Sequence, residues 1–381
     1  MSIVLLVLAL FFILPDLYIS LVLLRGAAWW AHVMVWLPAI VTIVLLASIR
    51  FFGVSSVKMD VIVGLLLCIA LPQLLFVFIS LIGRLTSFAW SPASSAGNWA
   101  GIAVGAIVSI AMLYGLLFGW KQLTVKNIEL TFDNLPTEFE GYRIAQLSDL
   151  HVGTYGSNTA FLEKVVRRVD EEHPDLVVFT GDIINTSPEE MVPFENTLSR
   201  LSAEDGVMSV TGNHDYCLYG FGERPSNPRE GAKKVVEAER HMGWQVLLNE
   251  HRLVTRDGVQ IAVIGVENTG KPPFPEIGNL QGAMEGLPDG IFSILLSHDP
   301  SHWRMEVLPK TDIPLMLSGH THAAQLKIGS WSPSRWFYKE WGGLYQEDGQ
   351  SLFISEGTGG SIPFRLGATP EIIIITLRRS K

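Results

Sequence analysis

The chain has 381 residues and a formal net charge of −9, and 48% of its residues are hydrophobic. Its two cysteines are too few for a disulfide framework, and no basic tract indicates a nucleic-acid partner. Residues 1–120 contain only six charged side chains, four basic and two acidic, so the remainder carries the negative charge. This division predicts a membrane segment followed by an acidic soluble domain.

Four apolar runs occupy the first part of the chain, near residues 1–24, 28–49, 60–83 and 100–120. Each is close to the roughly 20 residues that a helix needs to cross the hydrocarbon layer of a bilayer. The first run is not followed by a small-residue cleavage site and precedes further runs, which argues against a signal peptide. We therefore predict an N-terminal bundle of about four transmembrane helices over residues 1–120.

Asp16 lies inside the first apolar run, where an acidic side chain usually faces the bundle interior or has a function. Apart from this residue, the predicted spans lack polar side chains that would line a path through the membrane. The sequence therefore gives little support to a transport function.

The orientation of the predicted bundle follows from its flanking charges. Arg50, Lys58, Lys121 and Lys126 lie on the side that includes the soluble domain, against two basic residues on the other side. The positive-inside rule then predicts a multi-pass protein of the cell membrane with its soluble domain in the cytoplasm.

The pattern changes from about residue 123, where VKNIELTFDNLP alternates apolar and polar residues like a strand. Short apolar runs then alternate with helix-like stretches such as 158–172 and 229–242. This alternation predicts an α/β domain over residues 123–381, whose ligands gather at the ends of its strands.

Five of the strand-like runs end in aspartate, asparagine or histidine. The endings are Asp149-Leu150-His151, Gly181-Asp182, Gly212-Asn213-His214-Asp215, Ser297-His298-Asp299 and Gly319-His320-Thr321-His322. Carboxylate, amide and imidazole groups without thiolates suit Mn, Zn, Fe or Co, and they are too many for one ion. We therefore expect two divalent metal ions.

In this order the five endings resemble the D-x-H, GD, GNH[DE], H and GH-x-H signature of the calcineurin-like metallophosphoesterases. The resemblance implies a four-layer αββα sandwich with a dinuclear metal centre at the edge of its sheets. It also implies three ligands on each ion and one that bridges them. One ion would bind Asp149, His151 and His322, the other Asn213, His298 and His320, and Asp182 would bridge both.

The same resemblance implies a mechanism, in which a metal-bridging hydroxide attacks phosphorus. His214 occupies the family's position for a general acid that protonates the leaving oxygen, although a further ligand or a structural donor is the alternative. Asp215 is a candidate to orient the His214 imidazole through a hydrogen bond.

Residues 352–372, LFISEGTGGSIPFRLGATPEI, are similar to the C-terminal stretch of membrane-associated bacterial members, some of which cleave the pyrophosphate of UDP-2,3-diacylglucosamine. The aromatic stretches 331–345 and 216–221 could rest at the level of lipid headgroups, or could form a packed lid or core. We predict a phosphate ester or pyrophosphate of a membrane lipid as substrate. The alternatives are a tethered phosphodiesterase for soluble nucleotides and a non-catalytic membrane scaffold, and the sequence does not indicate an oligomeric state.

Overall fold

The computed structural model describes residues 2–52, 56–219, 225 and 227–380. These residues form two compact units, which divide between Phe118 and Gly119.

The N-terminal unit consists of helices. Their bounds are α1 Ser2–Val22, α2 Trp29–Phe52, α3 Ser56–Leu65, α4 Leu71–Thr86 and α5 Ala93–Leu117. A π-helical turn, Leu66–Ala70, joins α3 to α4. Three helical stretches are long and apolar enough to cross a membrane, namely Trp29–Ile49, Val57–Thr86 and Ala93–Lys121. The predicted transmembrane domain is thereby confirmed, whereas a span near 1–24 stays a prediction because the side chains of residues 2–9 lie outside the described ones.

The helix α5 begins at Ala93, ahead of the start near residue 100 that its sequence predicts. Its first turns are rich in serine and glycine, which usually indicates a loop. Here the glycines face α4, and a Cβ on Gly97 would lie 2.8 Å from the Cα of Gly83. Small residues at this spacing let two helices approach closely, so the stretch is helical.

Polar side chains pair inside the N-terminal unit, and Asp16 is among them. The amide of Gln73 donates to Oδ1 of the buried Asp16 over 2.9 Å. The hydroxyl of Tyr18 lies 2.9 Å from Oγ of Ser80 and accepts from Nε of Arg84 over 3.1 Å. Single polar residues in apolar helices are easily missed in the sequence, and pairing across helices makes their burial tolerable.

Two six-stranded sheets form the centre of the C-terminal unit. The first has the order β1-β12-β2-β3-β4-β5, with β1 Thr124–Phe132, β2 Arg143–Leu147, β3 Leu176–Phe179, β4 Val207–Ser209, β5 Gln245–Val246 and β12 Glu371–Arg379. The second has the order β10-β11-β9-β8-β7-β6, with β6 Glu250–Arg256, β7 Val259–Gly265, β8 Ser293–Leu296, β9 Leu315–Ser318, β10 Gly343–Glu347 and β11 Gln350–Ile354.

Helices cover the outer face of each sheet. Their bounds are α6 Ala160–Glu172, α7 Glu195–Leu198, α8 Pro228–His241, α9 Leu280–Met284 and α10 Leu308–Lys310. The alternation along β12 shows the layering, because Ile373 and Ile375 pack in the core between the sheets whereas Ile372 and Ile374 pack beneath α6. The predicted four-layer αββα architecture is confirmed.

The strands that carry the five polar endings run side by side. In the first sheet β2, β3 and β4 are parallel neighbours, and in the second β8 and β9 are parallel. A hydrogen bond of 2.9 Å from Nε2 of Gln146 in β2 to the carbonyl of Ser318 in β9 connects the two sheets near these ends. The carboxyl ends of parallel strands share one edge, so the endings meet there.

Candidate metal centre

Six charged or imidazole side chains at the strand ends converge into two groups that share one member. The first group contains Asp149, His151, Asp182 and His322, and the second contains Asp182, His298 and His320. Within each group the ligand atoms all lie within 4.8 Å of one another. The Asp182 carboxylate belongs to both groups, as a bridging ligand between two cations would.

Asn213 adds an amide oxygen to the second group. Its Oδ1 lies 2.7 Å from Nδ1 of His320 and 3.2 Å from Nε2 of His298. The structure therefore brings together all seven side chains that the motif endings single out as ligands, and nearly all of them are shielded from solvent.

Most of these side chains sit on strained backbone. Positive φ angles occur at Asp149 (55°), His151 (46°), Asp182 (60°), His320 (74°) and His322 (49°). Such conformations are unfavourable for residues with a Cβ and persist where the surrounding fold enforces them, often at functional sites. Gly319 has a different role, because a Cβ there would lie 1.9 Å from Oγ of Ser148 and would separate β9 from β2.

Two histidines are oriented by backbone carbonyls behind them. Nδ1 of His151 lies 3.1 Å from the carbonyl of Ile184, and Nδ1 of His298 lies 2.7 Å from the carbonyl of Thr180. A carbonyl only accepts hydrogen bonds, so each Nδ1 carries the ring proton. The other ring nitrogen, Nε2, then faces the cluster, which is the position from which metal-binding imidazoles coordinate.

The electrostatics of the cluster also favour a cation. Burial, together with the neighbouring His214, lowers the pKa of His151 to about 3, and burial lowers the pKa of His320 to about 4. Both rings are therefore neutral and offer lone pairs. Burial also opposes charge on His298, yet the carboxylates of Asp182 and Asp149 outweigh it and raise its pKa to about 10. The carboxylates thus draw positive charge into the cluster, as they would draw a divalent metal ion.

His214 lies beside the cluster and lines a cavity of about 300 Å3. Its Nδ1 lies 2.6 Å from the carbonyl of Asn185, and its ring meets the edge of the His151 ring at a centroid distance of 4.8 Å. The ring of Tyr219 packs against it at 4.4 Å. Because Nδ1 donates to Asn185, Nε2 is the nitrogen left to exchange a proton with a molecule in the cavity.

The expected hydrogen bond between Asp215 and the His214 imidazole is not formed among the described residues. The Asp215 carboxylate is fully buried and accepts from the backbone N–H groups of Gly212, Asp182 and Ile183 over 2.8 to 2.9 Å. It turns away from the imidazole because these amides are left unpaired by the sharp turns of the GD and GNH motifs. Asp215 therefore fixes two turns to each other.

The two aromatic stretches divide between surface and interior. In 331–345 the side chains of Trp336 and Phe337 are 68% and 77% exposed, whereas Tyr338 is half-buried in the wall of the cavity. In the other stretch Tyr216 is buried in the core, and residues 220 and 221 lie outside the described residues. Neither the lipid-contact nor the packed interpretation thus describes 331–345 as a whole, while in the other stretch the buried Tyr216 agrees with a packed core.

Several residues around the cluster were not found from the sequence. Tyr338 contacts His320, and the fully buried Arg365 places Nη2 3.5 Å from Nδ1 of His322. Tyr338 lies in the aromatic stretch 331–345 and Arg365 in the stretch similar to membrane-associated bacterial members, but their contacts depend on long-range packing. Asn185 acts through its backbone carbonyl, for which a sequence gives no signal.

Comparisons with known proteins agree with this geometry. Residues 142–324 match the family described as Calcineurin-like phosphoesterase, and residues 1–120 match the one described as Probable Calcineurin-like phosphoesterase, transmembrane domain. The Uncharacterized metallophosphoesterase YkuE of Bacillus subtilis is 31% identical over 72% of this chain and 94% of its own length.

Two further relatives have more specific names, one for a transmembrane protein and one for a pyrophosphatase. The Transmembrane protein with metallophosphoesterase domain of Danio rerio is 29% identical over 72% of this chain, which spans 62% of that protein. The UDP-2,3-diacylglucosamine pyrophosphatase LpxG of Chlamydia trachomatis is 25% identical over 64% of this chain and 86% of that protein.

Proposed function

The chain belongs to the calcineurin-like phosphoesterase family and is a membrane-linked, metal-dependent phosphoric ester hydrolase, and from this premise we propose its metal ligands, catalytic acid and substrate class. The buried cluster holds two divalent ions. Its substrate is a phosphate ester or pyrophosphate of a membrane lipid or lipid precursor.

The observation that carries the metal assignment is the sharing of Asp182 between two groups of ligand atoms. On this basis the first ion binds Asp149, His151 and His322, the second binds Asn213, His298 and His320, and Asp182 bridges them. Oxygen and nitrogen donors without thiolates fit Mn, Zn, Fe or Co. Two such cations lower the pKa of a water molecule and neutralise the oxygens of a phosphoryl group.

The protein's own contribution to the reaction is proton transfer and orientation. His214 delivers a proton from Nε2 to the leaving oxygen, while the carbonyl of Asn185 holds Nδ1 and so fixes the direction of the ring. The backbone N–H of His214 donates to Oδ1 of Asp182 over 2.8 Å, which ties the acid to the bridging carboxylate. Asp215 holds the turns that carry both residues.

Three observations support a lipid substrate. The chain has a transmembrane unit, and one relative is named for a pyrophosphatase of an acylated nucleotide sugar. The exposed Phe337 lines the cavity and follows the exposed Trp336, and the exposed cations Arg335 and Lys339 flank this pair in the sequence. Aromatic and basic side chains in this combination suit the headgroup region of an anionic bilayer.

The test compares the purified full-length enzyme, supplied with Mn2+, on a lipid pyrophosphate in mixed micelles and on a soluble nucleotide diester. We expect a higher kcat/KM on the lipid. Replacing both Trp336 and Phe337 by alanine should raise KM for the lipid alone, whereas Leu253→Ala, which removes an exposed apolar side chain from β6, should not. If the enzyme turns over both substrates equally and the double replacement has no effect, it is a phosphoesterase without lipid preference. Activity on neither would contradict the hydrolase mechanism as well.

The cytoplasmic side for the catalytic unit remains part of this proposal. It is supported by four basic residues on one side of the spans against Arg25 and Arg84 on the other. We expect activity from a reporter fused after Lys381 that works only in the cytoplasm. Activity only of a reporter that works outside the cytoplasm would reverse the orientation.

A further inference from the structure

Tyr338 lies directly behind a proposed ligand of the second metal ion. Its hydroxyl is 2.6 Å from Nε2 of His320. The other ring nitrogen, Nδ1, faces Oδ1 of Asn213 at 2.7 Å and Nε2 of His298 at 3.2 Å, so it is the nitrogen that points into the cluster. Without a cation between them, Nδ1 would have to donate to the amide oxygen of Asn213, whereas a neutral imidazole whose Nδ1 binds the proposed second ion carries its proton on Nε2. In the metal-loaded enzyme His320 would therefore donate to the oxygen of Tyr338.

This direction of donation leaves the hydroxyl proton of Tyr338 available. A phenol hydroxyl can accept one hydrogen bond and donate another at the same time. Within the described part of the chain no acceptor is hydrogen-bonded to this proton. The buried Asp299 does not accept it: among the described residues its Oδ2 has no hydrogen-bond partner, and that oxygen is 3.7 Å from Nε2 of His320. The proton is thus free for a molecule in the cavity.

The cavity wall contains Tyr338 together with His214, Asp182 and Asn213. A phosphoryl group that reaches the paired ions must enter this space. Building on the function proposed above, we propose that Tyr338 is a substrate-binding residue whose hydroxyl donates a hydrogen bond to a phosphoryl oxygen. One phenol would then support His320 on one side and recognise the phosphoryl group on the other.

The segment around Tyr338 is fastened to the GHTH motif, which fixes the position of the hydroxyl. The backbone N–H of Tyr338 donates to the carbonyl of Ser334 over 2.9 Å, and Oγ of Ser334 donates to the carbonyl of Thr321 over 3.2 Å. The hydroxyl of Thr321 in turn donates to the carbonyl of Trp341. A donor held in place before the substrate arrives stabilises charge more effectively than a mobile one, because it does not have to reorganise.

A purely supporting role for Tyr338 makes a different prediction from substrate binding. If the phenol only orients His320, its loss weakens the second metal site, and excess metal restores the enzyme. If it also contacts the phosphoryl group, a defect remains when both sites are full. Activity measured at saturating metal therefore distinguishes the two roles.

The experiment uses full-length Tyr338→Phe at saturating Mn2+, with metal content measured by mass spectrometry. We expect two ions per chain, a loss of kcat/KM of about 10- to 100-fold on an aryl phosphodiester, and a Kd for inorganic phosphate raised about 10-fold. Tyr345→Phe is the matched control, because this phenol accepts from the backbone N–H of Trp341 in the same region but does not line the cavity, and it should match the unaltered enzyme.

The phosphate measurement separates this inference from the function on which it rests. Unaltered phosphate affinity in metal-loaded Tyr338→Phe, or full recovery of activity with excess Mn2+, would overturn the role in substrate binding. If the unaltered enzyme binds phosphate but hydrolyses no ester, the proposed function is contradicted instead. The ratio of the phosphate Kd of Tyr338→Phe to that of the unaltered enzyme would still decide the role of Tyr338.

Discussion

The carboxylate of Asp182 lies 3.1 Å from Nε2 of His298, and the same carboxylate oxygen lies 3.7 Å from Nε2 of His151 in the other ligand group. One side chain thus connects the imidazole of His151, which follows the first sheet, to that of His298, which follows the second. The charge of Asp182 is difficult to replace, because an amide of the same size does not bridge two cations equally well and does not neutralise their positive charge.

We therefore expect Asp182→Asn to lose metal at both sites and to reduce kcat/KM by at least about 1,000-fold. His322→Ala, which alters only the first group, should lose about one ion per chain. Metal content by mass spectrometry distinguishes the two variants, with Asp289→Asn, an exposed change of the same kind, as control. Two tightly bound ions in Asp182→Asn would show that it is not a bridging ligand.

The role of His214 as an acid predicts a dependence on the leaving group. His214→Gln should lower kcat/KM by about 100- to 1,000-fold for an alkyl ester, whose leaving oxygen needs a proton, but much less for a 4-nitrophenyl ester. Its metal content should not change. His251→Gln is the control, because Nδ1 of His251 also donates to a carbonyl, that of Ala283, outside the site.

An equal loss on both esters, together with loss of metal, would instead make His214 a ligand. That outcome would support the alternative interpretation of the GNHD motif, in which its histidine does not transfer a proton.

Asp215 should behave as a structural residue. Asp215→Asn leaves at least one of the amides of Gly212, Asp182 and Ile183 without an acceptor, at a cost of about 1–3 kcal/mol in the free energy of unfolding. We expect a lower melting temperature in detergent and weaker metal binding, but the same ratio of alkyl to aryl ester activity as in the unaltered enzyme. A change in that ratio alone would support the discarded contact with His214.

The contrast between His214 and Asp215 shows what the sequence could predict. The five polar endings, the αββα layers, the family and the hydrolase class follow from local patterns, since strand periodicity and motif order are properties of neighbouring residues. The target of the Asp215 carboxylate depends on which amides the GD turn leaves unpaired. The carbonyl of Asn185 and the hydroxyl of Tyr338 reach the site only through long-range packing.

Prediction of the membrane unit from the sequence had the same limitation. Hydropathy identified three helical stretches that are long and apolar enough to cross a membrane, yet the start of α5 at Ala93 depends on the close contact of Gly97 with Gly83. The pairing of Asp16 with Gln73 likewise requires that α1 and α4 pack face to face. The amino-acid composition gives almost no indication of such contacts between helices.

A buried acid away from the metal centre predicts how stability depends on pH. Glu239 in α8 is fully buried, Oε2 accepts from Oγ of Ser209 over 2.7 Å, and Oε1 has no partner among the described residues. Burial, reinforced by the charge of Asp215, raises its pKa well above the ordinary value. The native protein therefore keeps a proton that the unfolded chain releases above about pH 4.5.

Because the native state binds more protons, the free energy of unfolding should fall by up to about 1.4 kcal/mol per pH unit between the unfolded and native pKa values of Glu239. Glu239→Gln does not ionise, so its melting temperature relative to the unaltered protein should rise from pH 5 to pH 8. The exposed Glu237→Gln in the same helix should show no such trend. If the melting temperatures of Glu239→Gln and the unaltered protein differ by the same amount at pH 5 and pH 8, the carboxyl is ionised in the native protein. A cation or solvent would then compensate its charge.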